Sequence, residues 1–144
     1  MKSIAFIIAL ITGFLASAAH ADGDVIALEV KGGIGAATAE YVISGIEYAE
    51  TSGAELVIID MDTPGGLVSS TRDIIQKILG SSVPVATYVT PEGARADSAG
   101  TYILLASHVA AMAPTTHIGA ATPVSLGGDD ATPCLLYTSD AADE

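Results

Sequence analysis

The run Leu56-Val-Ile-Ile-Asp60 constrains the fold more than any other feature of the chain. Four apolar residues follow one another without the alternation of a half-solvated strand. Such a run is expected in a parallel sheet covered on both faces. Parallel strands cannot be joined by tight hairpins, so each needs a crossover, usually a helix. The flanking sequence supplies those crossovers. Residues 37–50 place Val42, Ile43, Ile46 and Ala49 on one helical face, with Glu40, Glu47 and Glu50 mostly away from it, and Ser52-Gly53 ends the helix. Residues 68–79 form a second helix carrying Ile74, Ile75 and Ile78, which stops at Gly80. Residues 25–30 and 84–89 read as further strands, 91–97 as a loop, and 98–107 as an apolar third helix rich in small residues. Short strands are expected at 109–112 and near Ile118. The order is α/β: repeated β-α units with a mainly parallel sheet and right-handed crossovers.

Length and charge bound the rest. The 144 residues allow one compact domain. With 5 Lys+Arg against 17 Asp+Glu, the net charge is −12, which argues against nucleic acid as a partner. The single Cys134 excludes an intrachain disulfide and a cysteine-based zinc site. Met1-Lys2, the apolar run at 4–16 and Ala19-His20-Ala21 read as a secretory signal peptide over residues 1–21, cut before Asp22. The protein is then expected to be exported, to a bacterial periplasm. The run at 99–113 is interrupted by His108 and is followed by Pro114, so it is no convincing membrane span. The domain is expected to run from 22 to 126, with 12 acids and 4 basic residues. Residues 127–144 form a tail that completes no element and reads as non-native from about 133.

Two segments carry candidate chemistry. Asp62-Thr-Pro-Gly-Gly66 directly follows the second strand. Its glycines permit a sharp turn and leave N–H groups exposed, able to hold a developing oxyanion. A plain strand-to-helix turn would use the same residues. Gly93-Ala-Arg-Ala-Asp-Ser98-Ala-Gly-Thr-Tyr102 sets Ser98 at a helix start among small residues. A helix N-terminus favours an alkoxide and a tetrahedral oxyanion. The competing reading is that Asp97 or Ser98 merely caps the helix. Ala96-Asp-Ser98-Ala-Gly100 is not the Gly-x-Ser-x-Gly elbow of α/β-hydrolases.

Together the two segments resemble the ClpP-class serine proteases of the NfeD type, related to signal peptide peptidase A. Pro114-Thr-Thr-His-Ile-Gly-Ala-Ala-Thr-Pro-Val124 is similar to the segment that follows in that family, and the similarity spans roughly residues 25–124. The resemblance implies a ClpP/crotonase-like fold with Ser98 as nucleophile. Backbone N–H groups of Gly66 and Ala99 would form the oxyanion hole, and Gly65 and Gly100 would border the substrate groove. It implies neither cofactor nor metal, a likeness to enzymes that cut apolar segments of membrane proteins, often a stomatin-like partner, and self-association into a homo-oligomer. The full-length protein would be membrane-associated. The family's general base is a lysine about forty residues after the serine, in a Ser-Lys dyad. Counting forward from Ser98 lands near Ser139, and no Lys or Arg follows Arg95. The expected base is therefore missing from these residues, and the 144-residue chain is expected to be inactive.

Other side chains compete weakly for that role. Lys77 lies among polar neighbours and reads as solvated, and Lys31 as part of a surface turn. His117 is nineteen residues past Ser98, while the counterpart of the ClpP triad histidine falls near Ala121. His108 suits a helix C-terminus. Lys31-Gly-Gly-Ile-Gly35 lacks the full spacing of a phosphate loop. Asp60 and Asp62 share a strand face but have no third metal ligand in view. The alternative function is a non-catalytic binding or scaffold domain on the same fold, in membrane-protein quality control. A periplasmic small-ligand binder would need a preformed apolar pocket that the sequence does not specify.

Overall fold

The computed structural model describes residues 23–122. The segment expected to be a signal peptide, 1–21, the expected tail at 127–144 and Cys134 lie outside the described residues. Strands β1 (Val25–Lys31), β2 (Leu56–Asp62), β3 (Val85–Val89) and β5 (Val109–Met112) form one sheet in the order β1-β2-β3-β5. All three pairings are parallel. Helices α1 (Ala36–Ser52), α2 (Val68–Leu79) and α3 (Ala99–Ala106) are the crossovers.

Strands are added in one direction, so crossovers of one hand lay all three helices on the same face. Leu28, Val30, Val57, Ile59, Met61, Val85 and Val89 point into that layer and are buried. They meet Val42, Ile46 and Ala49 of α1, Ile74 and Ile78 of α2, and Ile103 and Leu104 of α3. Burial of such side chains contributes roughly 25 cal/mol per Å² of apolar surface, the main favourable contribution to folding.

The opposite face departs from expectation. Among the described residues nothing covers it: Ala27 and Glu29 are exposed, Ile58, Asp60 and Ala86 are half-buried, and Tyr88 is 38% exposed. Ile58 stays half-buried without a second layer because β2 is central. Its row neighbours in β1 and β3 are Ala27 and Ala86. The unbroken apolar run marks a central strand, and here it does not require two covering layers.

The stretch expected as a loop at 91–97 also holds a strand, β4 (Arg95–Asp97). It pairs in parallel with β6 (His117–Gly119) to make a separate two-stranded sheet. Three residues are too few to carry a periodicity, which is why the sequence pattern does not reveal it. No described helix is long and apolar enough to cross a membrane.

One polar tie joins the helical layer to the sheet edge. Lys77 of α2 donates to Glu50 Oε2 of α1 at 2.8 Å and lies 3.7 Å from Glu47. Glu50 Oε1 accepts the Ser82 N–H at 3.1 Å. Lys77 is thus a paired, largely covered side chain rather than a solvated one. The Lys77 hydrogen bond, then the Ser82 N–H, hold the Glu50 carboxyl below its ordinary 4.5. A carboxylate with a depressed folded-state pKa stabilises the fold above its ordinary pKa. That contribution is lost as pH falls through the folded value. Glu50→Gln should therefore cost about 0.5 kcal/mol near pH 7, the usual size of a solvent-screened pair. Urea titrations should show that cost shrinking as pH falls through the folded-state value, where the wild-type carboxyl becomes protonated too.

Candidate active site

The site is built around Thr63, which is fully buried. Its main chain bridges β4: Thr63 N donates to Arg95 O at 2.7 Å, and Asp97 N donates to Thr63 O at 3.0 Å. Its hydroxyl turns the other way and accepts the Gly65 N–H at 3.0 Å. One residue thereby fixes both candidate segments to each other. Asp62 adds a second tie, its Oδ1 accepting the Arg95 N–H at 3.0 Å.

Beyond Thr63 the two glycines are required by space. Gly65 has φ +114, a conformation L side chains rarely adopt. A Cβ there would lie 2.7 Å from Ser98 Cβ and 3.1 Å from its Oγ. A Cβ on Gly66 would meet Ile34 O at 2.0 Å. Ile34, in the exit loop of β1, donates its N–H to Gly65 O at 2.8 Å and accepts from Leu67 N at 2.8 Å. In this bridge geometry the N–H of Gly66 itself turns away from Ile34. The Lys31-Gly-Gly-Ile-Gly35 segment thus serves as a clamp on the glycine turn, through Ile34.

Ser98 stands where β4 ends and α3 begins. Its backbone has φ 50 and ψ −111, and its side chain does not cap the helix. That removes the capping explanation for Ser98. A non-glycine residue held in such a region costs roughly 1–3 kcal/mol and persists only when its surroundings enforce it. The enforcement is visible. Ser98 N donates to Gly119 O of β6 at 2.7 Å, and Thr101 N donates to Ser98 O at 3.1 Å. Thr101 Oγ1 lies 2.8 Å from Ala96 O and 3.0 Å from Gly119 O, and accepts the Gly119 N–H at 3.1 Å. Gly100 lets the helix settle onto Thr63, since a Cβ there would lie 2.6 Å from Thr63 Cγ2.

A cavity of about 220 Å³ opens beside Ser98. Gly66, Ala99 and Ser98 line it with Val68, Thr71, Arg72, Ile75, Tyr102 and Ala121. A half-buried hydroxyl, a helix N-terminus and an adjacent glycine turn thus face one mostly apolar space. This arrangement suits nucleophilic attack on a carbonyl whose oxygen then becomes an anion.

The other sequence candidates lie elsewhere. His117 pairs through Nδ1 with Asp97 Oδ1 at 2.5 Å, across the β4–β6 pair, and does not line the cavity. His108 accepts the Val85 N–H at its Nδ1, at 3.1 Å, and so ties the exit of α3 to β3. Lys31 pairs with Glu29 on the exposed face. That hydrogen bond and charge raise its pKa from 10.5, opposite to the shift a general base needs. Asp60 and Asp62 belong to no group of three metal-ligating side chains among the described residues. Sequence reasoning missed Thr63, Thr101 and Gly119, which support Ser98 through contacts between distant segments. Their only signal is their place within the two singled-out stretches and the one similar to the family's following segment.

Residues 14–134 match the NfeD1b N-terminal domain family. The chain belongs to this family. Over 111 residues, 77% of its length, it is 47% identical to the membrane-bound protease PH1510 of Pyrococcus horikoshii. It spans about a quarter of that relative, 25% of its length. Two solved structures of the 1510-N membrane-bound stomatin-specific protease superpose with TM-score 0.75 over 84% of this chain. One is a serine-to-alanine variant, 41% identical, with 61% of its chain covered. The other is a lysine-to-alanine variant in complex with a substrate peptide, 42% identical, with 57% covered. ClpP1 from Listeria monocytogenes matches at TM-score 0.58 and 23% identity over 63% of this chain and 54% of its own, a likeness of fold alone. The NfeD1b-type domain therefore has the ClpP-like α/β fold its sequence implied.

Thr63 gives this geometry a direct test. Thr63→Val keeps the shape but leaves the buried Gly65 N–H unpaired, which should cost about 1–3 kcal/mol. Thr63→Ser retains the hydroxyl and should lose less. Denaturant unfolding of both variants would check the ranking.

Proposed function

We propose that the domain is the peptidase part of a membrane-associated serine endopeptidase acting through Ser98. The observation that carries this reading is the strained Ser98, set against Gly65 and sharing one cavity with Gly66 and Ala99. Ser98 Oγ attacks the scissile carbonyl carbon and its proton passes to the base. The carbonyl oxygen becomes an oxyanion that accepts from the N–H groups of Gly66 and Ala99. The start of α3 adds its dipole to the same side. Collapse breaks the C–N bond, the base returns the proton to the leaving amine, and water hydrolyses the Ser98 ester.

The base in this reading is a lysine that the residues after Arg95 do not supply. The two variants solved for the 1510-N protease replace a serine and a lysine, the pair such a dyad requires. Its name as stomatin-specific and its peptide complex support a peptide substrate, with a stomatin-like protein as one choice, and the apolar character of the segment is part of the proposal. Gly65 and Gly100 would border the groove. The signal peptide at 1–21, export to the periplasm, a domain at 22–126, a foreign tail from about 133 and assembly into a homo-oligomer complete the proposal.

The test is hydrolysis of an apolar fluorogenic peptide by a chain continued through the segment that carries the lysine. Ser98→Ala should lower turnover by at least about 10³-fold. The 144-residue chain, lacking the base, should show no Ser98-dependent turnover. Undiminished turnover in the alanine variant would overturn the assignment. Peptide binding without turnover in the continued chain would favour the scaffold reading.

A further inference from the structure

Four basic side chains lie among the described residues: Lys31, Arg72, Lys77 and Arg95. Three of them have acidic partners. Lys31 pairs with Glu29, Lys77 with Glu47 and Glu50, and Arg95 with Asp97. Arg72 has none among the described residues, although acids outnumber bases three to one between residues 22 and 126. It is the one basic residue that lines the cavity beside Ser98.

The cavity is a slot between two helices. Val68, Thr71, Arg72 and Ile75 occupy positions i, i+3, i+4 and i+7 and so share one face of α2. Val68 to Ile75 spans about 10 Å of helix. Ser98, Ala99 and Tyr102 form the facing wall from α3. The other polar groups of α2 and α3 along the slot are engaged. Thr71 Oγ1 donates to Leu67 O at 2.8 Å, and the Tyr102 hydroxyl donates to Ala121 O at 2.9 Å. Apart from Ser98 itself, Arg72 is the polar side chain there with donors to spare. A guanidinium presents a planar fork that matches a carboxylate with two parallel hydrogen bonds, and it is only weakly hydrated.

We propose that Arg72 determines specificity: it receives a carboxylate of the peptide whose apolar side chain fills the slot. The preferred substrate is then an apolar segment with an acidic group close to the bond presented to Ser98. This deepens the peptidase reading and rests on it for the identity of the ligand as a peptide. The carboxylate could belong to an Asp or Glu side chain or to the C-terminus of the substrate chain.

Binding tests this without hydrolysis. Dye-labelled apolar decapeptides carrying one central Glu, or Gln in its place, each with a free or an amidated C-terminus, are titrated against the Ser98→Ala protein by fluorescence anisotropy. The expected result is binding about tenfold tighter for the carboxylate-bearing peptide, one charge-assisted pair's worth. Adding Arg72→Gln should erase that preference, so that the carboxylate-bearing and neutral peptides bind with equal Kd. Adding Arg72→Glu should turn the preference toward a Lys-bearing peptide. A preference that follows Glu assigns the side-chain carboxylate, and one that follows the free C-terminus assigns the terminal one. Equal Kd values for all four peptides, no binding by any of them, or a preference that survives Arg72→Gln would overturn the proposal. Equal Kd values would leave the role of Ser98 standing, because the hydrolysis test reads that separately.

Discussion

The Thr63 crosslink is the constraint on which the rest of the site depends. β2 leaves the sheet at Asp62, and the next residue must serve two segments at once. Its backbone pairs with β4 and its hydroxyl accepts the Gly65 N–H. Both ends of that exchange are buried, so leaving either polar group unpaired would cost more than a surface hydrogen bond contributes. The glycine turn and the Ser98 segment come from chain positions about thirty residues apart. Without this shared partner, the Asp62 Oδ1–Arg95 N–H bond would be left to set their spacing. Gly100 matters for the same reason, since it allows α3 to rest directly on the Thr63 methyl.

The second constraint is backbone strain at Ser98. The strand β4 feeds a helix with no room for a connecting loop, so the linking residue takes φ 50. β6 supports it from one side through Gly119, and Thr101 fastens Gly119 to the same helix. The small parallel pair β4–β6 thus acts as a bracket for one residue, and the Asp97–His117 contact closes it on the outside. The hydroxyl is released from the capping role that serine usually plays at a helix start. The same geometry leaves the first N–H groups of α3 beside it, where developing negative charge is stabilised.

Much of this was legible in the sequence, for identifiable reasons. The Leu56-Val-Ile-Ile-Asp60 run and the spacing of Val42, Ile46 and Ala49 are strong periodic signals, and they place the strands and helices correctly. The glycine turn stands out because sharp turns favour glycine, and Ser98 because it opens a helix among small residues. Three things were hidden. β4 is too short for a pattern, so its pairing with the short strand expected near Ile118 does not show. Thr63 looks like an ordinary turn residue until β4, about thirty residues further along the chain, is brought beside it. The bare outer face of the sheet reads as covered because an apolar central strand gives the same signal in either setting. Membership in the NfeD1b N-terminal domain family agrees with the reading carried by the two motifs in combination.

The central claim is that Gly66 and Ala99 present their N–H groups to an oxyanion formed on Ser98. Amide chemical shifts measure this most directly. A peptide boronic acid adds Ser98 Oγ to boron, releases the hydroxyl proton and leaves a tetrahedral boronate in place of the oxyanion. In a chain that carries the base, the amide protons of Gly66 and Ala99 should move downfield together on addition, and neither should move in the Ser98→Ala protein. A Ser98 adduct that leaves both amides unshifted would contradict the account.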